Sequence, residues 1–192
     1  MSPPMTLWGC GVAGYLLGTV SFSLLFARAN GVDLRAVGSG NPGATNASRA
    51  MGKKIGIAIY LLDMLKGFLP ALLAAWWFEV DAGVAAGFGA YVGHILPFWC
   101  RFRGGKGVAT LSGALLALAP WVTLASGAVW FLATKLTGLV AIGSLAFGLA
   151  LPAFAWGFGE HPWVVRFALA GGLFLFVTHR SNLKKIVQGT EN

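Results

Sequence analysis

The sequence predicts an all-helical integral membrane protein, and two features of its composition and one of its charge pattern carry that prediction. Of 192 residues, 57% are hydrophobic and only 10% are charged, and the mean hydropathy is +0.74. Soluble domains carry roughly 25% charged residues, and a chain this small has too little interior to hide so many apolar groups. The 28 glycines and 8 tryptophans suit close helix contact and anchoring at a membrane interface. The net charge of +8 would suit nucleic acid in a soluble protein. Here no basic domain stands clear of the apolar runs, so the charge reads as basic loops on the cytoplasmic face and nucleic-acid binding is not expected.

Taken in order, the first apolar run covers residues 6–27, roughly 33 Å of helix, enough to cross a bilayer core. Runs at 55–78 and 82–99 are separated only by Glu79, Val80 and Asp81, which predicts an antiparallel hairpin with an acidic tip. Runs at 138–158 and 163–178 form a second hairpin through Gly159, Glu160, His161 and Pro162. The stretch 108–134 fits either one long span or two short ones broken at Pro120. One span would set Lys135, Arg180, Lys184 and Lys185 opposite Arg35, Arg49, Lys53 and Lys54. Two spans place every basic loop residue on one face and Glu79, Asp81 and Glu160 on the other. The positive-inside rule then predicts seven transmembrane helices, two of them short, around Pro120, with the N-terminus outside and the C-terminus cytoplasmic. The short pair is expected to hold about 12 to 15 residues each, and the whole chain, residues 1–192, to form a single transmembrane helical domain.

Glycines four apart, Gly14/Gly18, Gly83/Gly87 and Gly89/Gly93, read as helix-packing positions. Cys10 and Cys100 lie in separate runs with no Cys/His cluster, so neither a disulfide framework nor a zinc site is expected. Leu7-Trp8-Gly9-Cys10 looks like a lipoprotein cleavage box, but only six residues precede it and none is basic, so the N-terminus is read as intact.

Three segments on the cytoplasmic face carry the unusual chemistry. The first runs Gly38-Ser39-Gly40-Asn41-Pro42-Gly43-Ala44-Thr45-Asn46, followed by Arg49, Lys53 and Lys54. Its glycines would free backbone N–H groups to face an anion, Ser39, Asn41, Thr45 and Asn46 would add side-chain hydrogen bonds, and Arg49 and Lys53 would share one helix face at i,i+4. A plain turn capped by Thr45 or Asn46 is the competing reading. The second is Phe102-Arg103-Gly104-Gly105-Lys106-Gly107-Val108-Ala109-Thr110, a basic glycine loop opening into a helix, where free N–H groups, the positive dipole end and Lys106 would converge. It is not a nucleotide-hydrolysing P-loop, because Cys100 and Gly107 stand where that motif needs Gly and Ser or Thr. The third is Thr178-His179-Arg180-Ser181-Asn182-Leu183-Lys184-Lys185, in which His179 and Asn182 share a face while Arg180 and Lys184 suit lipid headgroups. Within the spans, Asp63 and Lys66 are spaced i,i+3 and read as a neutralising structural pair. For His94 a structural hydrogen bond and a pocket contact stand equal.

Two glycine-lined anion sites beside a helix bundle that accepts an acyl chain suggest an enzyme joining a phosphorylated small molecule to a lipid. There is no Asp-rich magnesium motif, no HExxH, no GxSxG and no His-x4-Asp box, since Trp99, Arg166 and Lys184 stand five beyond the three histidines. Metal and Ser-His-Asp chemistry are therefore unsupported.

Four stretches in this order, GSGNPGATNASRAMGKK, LDMLKG, GHILPFW with FRGGKGVAT, and HRSNLKKIVQGTE, resemble the bacterial acyl-phosphate:glycerol-3-phosphate acyltransferases of the PlsY type, over nearly the whole chain. The resemblance implies acyl transfer from acyl phosphate to glycerol 3-phosphate, giving lysophosphatidic acid and phosphate in phospholipid biosynthesis at the bacterial inner membrane. It implies an active site on the cytoplasmic face, no cofactor and no metal, contact with membrane lipid, and a functional link to an acyl-ACP:phosphate acyltransferase. It further implies that Ser39 and Arg49 form the essential pair of the first motif, that Gly104, Gly105, Lys106 and Gly107 bind glycerol 3-phosphate, that His179 and Asn182 serve activity, and that Glu191 is structural. Gly40, Asn41, Thr45, Asn46, Lys53 and His94 are carried as substrate-binding candidates. The hydroxyl proton goes either to His179 or to a bound phosphate dianion. An anion or phosphate transporter would also want basic glycine loops, but only Asp63, Lys66 and His94 lie as polar groups within the spans. A lipid-binding or scramblase-like bundle explains the basic rim but not two glycine loops at helix starts.

Overall fold

The computed structural model describes residues 3–191 and is helical throughout. Its elements are α1 (Pro3–Gly18), α2 (Phe22–Ala29), α3 (Ala44–Met51), α4 (Lys53–Phe78), α5 (Val80–Ile95), a 3-10 turn at Phe98–Cys100, α6 (Val108–Leu118), α7 (Pro120–Thr137), α8 (Val140–Gly157), α9 (Pro162–Thr178) and α10 (Arg180–Val187). They divide into two compact units, Met1–Ala114 and Leu115–Asn192. Among the described residues, four stretches are long and apolar enough to cross a bilayer: Pro4–Ala29, Lys53–Phe78, Val80–Cys100 and Val140–Gly157. Pro162–Thr178 with Arg180–Val187 makes a fifth when that pair, bent by 55°, is taken as one. The protein is thus an integral, multi-pass helical membrane protein.

In the first unit α1 lies along α5, and both pack on α4. Lipid offers no hydrophobic reason for helices to associate, so their attraction comes from close backbone approach. A side chain at Gly18 would run into the backbone of Ala90, and one at Gly93 into the Tyr15 carbonyl and the backbone of Gly18 and Thr19. The expected Gly14/Gly18 and Gly89/Gly93 pairs are therefore the two faces of one contact. The first span is interrupted at residues 19–21, which frees carbonyls. That of Thr19 accepts from Trp99 Nε1 at 3.3 Å and that of Val20 from Lys66 Nζ at 2.6 Å.

The stretch 108–134, expected to divide into two short helices, is broken where Pro120 stands. Ala119 takes φ −147°, ψ 74°, because the residue before proline is driven out of the helical region, and Pro120 opens α7 where its missing N–H costs nothing. The two helices are unequal, 11 and 18 residues, and not 12 to 15 each. Lys135 ends the apolar run but not the helix, which continues to Thr137. In the second unit α8 packs against both α7 and α9, with Gly148 and Gly172 in backbone contact.

Candidate active site

The first loop is built around one buried side chain. Asn46, 2% exposed, donates from Nδ2 to the carbonyls of Leu34 at 2.9 Å and Val37 at 3.1 Å, and accepts at Oδ1 from the Ser39 N–H at 3.0 Å. A plug of Ala27, Leu34, Ala47 and Ile59 lies beneath, and Ser23 Oγ donates to the Pro42 carbonyl at 2.9 Å. Gly40 N–H bonds the Val37 carbonyl at 3.0 Å and Gly43 N–H that of Asn41 at 2.9 Å. The expectation that this loop turns its backbone N–H groups to an anion is thus corrected at three positions: those of Ser39, Gly40 and Gly43 are spent holding the loop's own shape. Asn46 is the internal strut, and Gly43, not Thr45 or Asn46, is the N-cap of α3. Ser39, Thr45 and Arg49 are exposed and Asn41 is half-buried. Arg49 and Lys53 do not share a helix face as expected, because the helix breaks between them at Gly52, whose φ of 95° no other residue adopts readily. Lys53 opens α4 and is exposed.

Truncating Asn46 to alanine is expected to destabilise the protein by about 1–3 kcal/mol, because it orphans the buried Leu34 carbonyl and the Ser39 N–H and leaves the Val37 carbonyl with Gly40 N–H alone. A drop in the thermal midpoint of the purified protein, with a parallel rise in proteolysis between residues 34 and 46, would show it. An unchanged midpoint would remove the strut.

The second loop folds back on the end of α5. Gly104 N–H donates to the Ile95 carbonyl at 3.0 Å and Gly105 N–H to that of His94 at 3.1 Å, satisfying carbonyls that a helix end leaves without partners. A Cβ on Gly105 would strike the His94 imidazole, and one on Gly107, at φ 91°, the Tyr91 ring. These glycines permit close approach, and the donors of Gly104 and Gly105 are already used. The expected convergence of loop N–H groups is accordingly narrowed to the first turn of α6, which begins at Val108, and to the half-buried Lys106. Arg35 Nη2 donates to the Arg103 carbonyl at 3.2 Å, while its own backbone carbonyl lies 3.2 Å from where a Gly40 Cβ would be. One arginine thus spans from the first loop to the second.

Behind the second loop is a buried ion cluster. Lys66 Nζ stands 2.8 Å from Asp63 Oδ1, and His94 Nδ1 3.7 Å from the same oxygen. All three side chains are buried. Lys66 also lies 5.8 Å from the Phe22 ring centroid.

In the second unit, His179 is buried at the junction of α9 and α10. Its Nδ1 lies 2.9 Å from the Leu175 carbonyl. A carbonyl can only accept, so Nδ1 is the donor of this bond, and in the neutral imidazole Nε2 then carries the lone pair. Asn182, also buried, donates from Nδ2 to Glu191 Oε1 at 2.6 Å, which draws the chain end back onto α10.

Sequence reasoning did not single out Ser23, Arg35 or Tyr91. A lone serine within an apolar run was the available signal for Ser23, but the partners of Arg35 and Tyr91 lie 68 residues away for the arginine and across a turn for the tyrosine, and nothing in spacing reveals them.

Fold and loops together define a multi-pass helical membrane protein with two internally braced glycine loops that carry cationic and hydroxyl residues. The family model described as "Glycerol-3-phosphate acyltransferase" matches residues 8–189. The glycerol-3-phosphate acyltransferase of Rhizobium meliloti (strain 1021) is 41% identical over 98% of this chain and 92% of its own. That of Sinorhizobium fredii (strain NBRC 101917 / NGR234) is 42% identical with the same coverage. A crystal structure of PlsY, an integral membrane glycerol 3-phosphate acyltransferase, in its glycerol 3-phosphate form superposes with a TM-score of 0.94 at 37% identity, covering 97% of this chain and 94% of that one. Its lysophosphatidic acid form gives 0.91 at 36% identity with the same coverage. The chain belongs to the glycerol-3-phosphate acyltransferase family.

Proposed function

We propose that this glycerol-3-phosphate acyltransferase takes its acyl group from an acyl phosphate and passes it to the C1 hydroxyl of glycerol 3-phosphate, forming lysophosphatidic acid and inorganic phosphate. The observation that carries the reading is that two braced polar loops, one leading to Arg49 and one bearing Lys106, lie within the span of the Arg35 side chain. The crystallised relative's glycerol 3-phosphate and lysophosphatidic acid forms supply the acceptor and the product. The hydroxyl oxygen attacks the acyl carbonyl, the bond from carbonyl carbon to phosphate oxygen breaks, and phosphate leaves with the electron pair. A mixed anhydride already has a good leaving group, so the enzyme's work is to neutralise two phosphates and align the reacting atoms. Arg49 and Lys106 carry that charge. Ser39, with Gly40, Asn41 and Thr45, borders the acyl phosphate, and Gly104, Gly105 and Gly107 shape the glycerol 3-phosphate loop. Lys53 adds to the positive field around the site. The resemblance carries His179 and Asn182 into the reading. Nδ1–H of His179 bonded to a carbonyl leaves Nε2 as its proton acceptor, with phosphate dianion as the other candidate. Seven spans, an outside N-terminus and loops on the cytoplasmic face belong to the same proposal and rest on the one-sided distribution of basic residues.

The test is to supply purified protein in lipid with palmitoyl phosphate and radiolabelled glycerol 3-phosphate, beside an Arg49→Ala variant. Lysophosphatidic acid that vanishes with the variant is the expected result. No product from folded protein, with palmitoyl-CoA also inert, would sink the reading. His179→Gln is expected to lose at least about 100-fold in turnover if Nε2 takes the proton, whereas near-normal turnover assigns the proton to phosphate.

A further inference from the structure

We infer that Asp63, Lys66 and His94 are positioning residues: the buried cluster they form sets the two loops in register with one another. The inference rests on the proposed reaction, and deepens it. Follow the contacts in both directions from Asp63. Toward the second loop, His94 stands beside the carboxylate, its imidazole lies against Gly105 where any Cβ would strike it, and its carbonyl holds the Gly105 N–H at 3.1 Å. Lys106 is the next residue. Toward the first loop, Lys66 donates to the Val20 carbonyl at 2.6 Å in the break between α1 and α2, and faces Phe22. One residue on, Ser23 holds the Pro42 carbonyl at 2.9 Å.

A cluster meant only to brace two transmembrane helices would do so with any partner along them. Here Asp63 joins two partners that each lead to a loop of the proposed site: Lys66 holds the Val20 carbonyl, three residues before the Ser23 that holds Pro42, and His94 lies directly against Gly105. Its cost also argues for a purpose beyond packing, because buried ion pairs contribute little to stability over well-packed apolar residues. Specified geometry is what such a pair retains. In this account His94 acts from behind the loop, through Gly105, and not by touching substrate.

Two variants test this. Asp63→Asn/Lys66→Met removes both charges while keeping shape and leaves no uncompensated ion. His94→Gln keeps polarity but removes the ring that abuts Gly105. Each is expected to keep its melting midpoint within a few degrees of the parent and to raise KM for glycerol 3-phosphate by about tenfold or more, since small misplacements of a binding group cost that much. KM for palmitoyl phosphate should move less in His94→Gln, which touches only the second loop. The thermal shift that glycerol 3-phosphate confers on the parent should shrink in both, a binding readout independent of turnover.

Folded variants with parental kinetic constants and parental thermal shift overturn the inference. So does a double variant that fails to fold while His94→Gln behaves as the parent, since the cluster would then hold only the bundle. If the parent itself forms no lysophosphatidic acid, it is the proposed reaction that has failed. A normal parent with normal variants fails the positioning role alone.

Discussion

Replacing Lys106 with alanine is expected to lower kcat/KM for glycerol 3-phosphate by about 10²–10³-fold while leaving the melting midpoint near that of the parent. The size of the effect follows from what the structure has done with the other donors near it. Had the loop offered a ring of free backbone N–H groups, loss of one ammonium would be partly covered by the rest. The N–H groups of Gly104 and Gly105 are instead bonded to the carbonyls of Ile95 and His94, so fewer backbone donors remain to cover the loss. Lys106→Arg should restore only part of the activity, because a broad planar guanidinium on a three-carbon stem does not place its charge where a compact ammonium on a four-carbon stem does. Steady-state kinetics with each substrate varied in turn would check this. A loss of less than about fivefold in Lys106→Ala would mean that the α6 helix start alone holds the phosphate.

The second large effect is expected on folding. Leucine at Gly18 or at Gly93 should destabilise the protein by about 3 kcal/mol or more and yield chain that aggregates on extraction in mild detergent. At both positions the atoms in the way are backbone: the Ala90 carbonyl and Cα for Gly18, and the Tyr15 carbonyl and Thr19 nitrogen for Gly93. Backbone of a neighbouring helix yields only if the whole helix moves, so no rotamer change relieves the clash. Gly9→Ala is the control on the same helix, since nothing lies within 4 Å of a Cβ there, and its thermal midpoint should be unchanged or slightly higher. A well-folded Gly18→Leu with normal activity would show that the α1 and α5 contact is not what holds the first unit.

Much of this could be read before any coordinates. The apolar runs, the break at Pro120 and the residue sets of three loops are local properties: they depend on hydropathy over one window, on the φ restriction of proline, and on residue types within about ten positions. Helix ends were less legible. Lys135 closes an apolar run yet lies inside α7, and Gly52 splits Arg49 from Lys53 although charge spacing placed them on one face. In both cases the backbone is decided by what surrounds it, not by the polarity of the residue.

The direction of the backbone donors was the larger correction. Glycine-rich composition correctly marks where the chain approaches something closely, but it does not say what. In the first loop that neighbour is Asn46, and in the second it is His94 and Tyr91. The N–H groups of Ser39, Gly40, Gly43, Gly104 and Gly105, expected on composition to face an anion, are bonded within the protein instead.

By itself, then, the sequence determined that the chain is a helical membrane protein and which polar residues it spends away from lipid, because transfer of each residue between water and hydrocarbon is a sum over local composition. The Asp63/Lys66 pair was legible from its i,i+3 spacing; only the tertiary structure decided that His94 joins it, that Lys66 reaches the break at Val20, and that His94 lies behind Gly105. Those contacts join residues up to 46 positions apart, and their hydrogen bonds and ion pairs act over only a few ångströms, so nothing short of the packed helices could specify them.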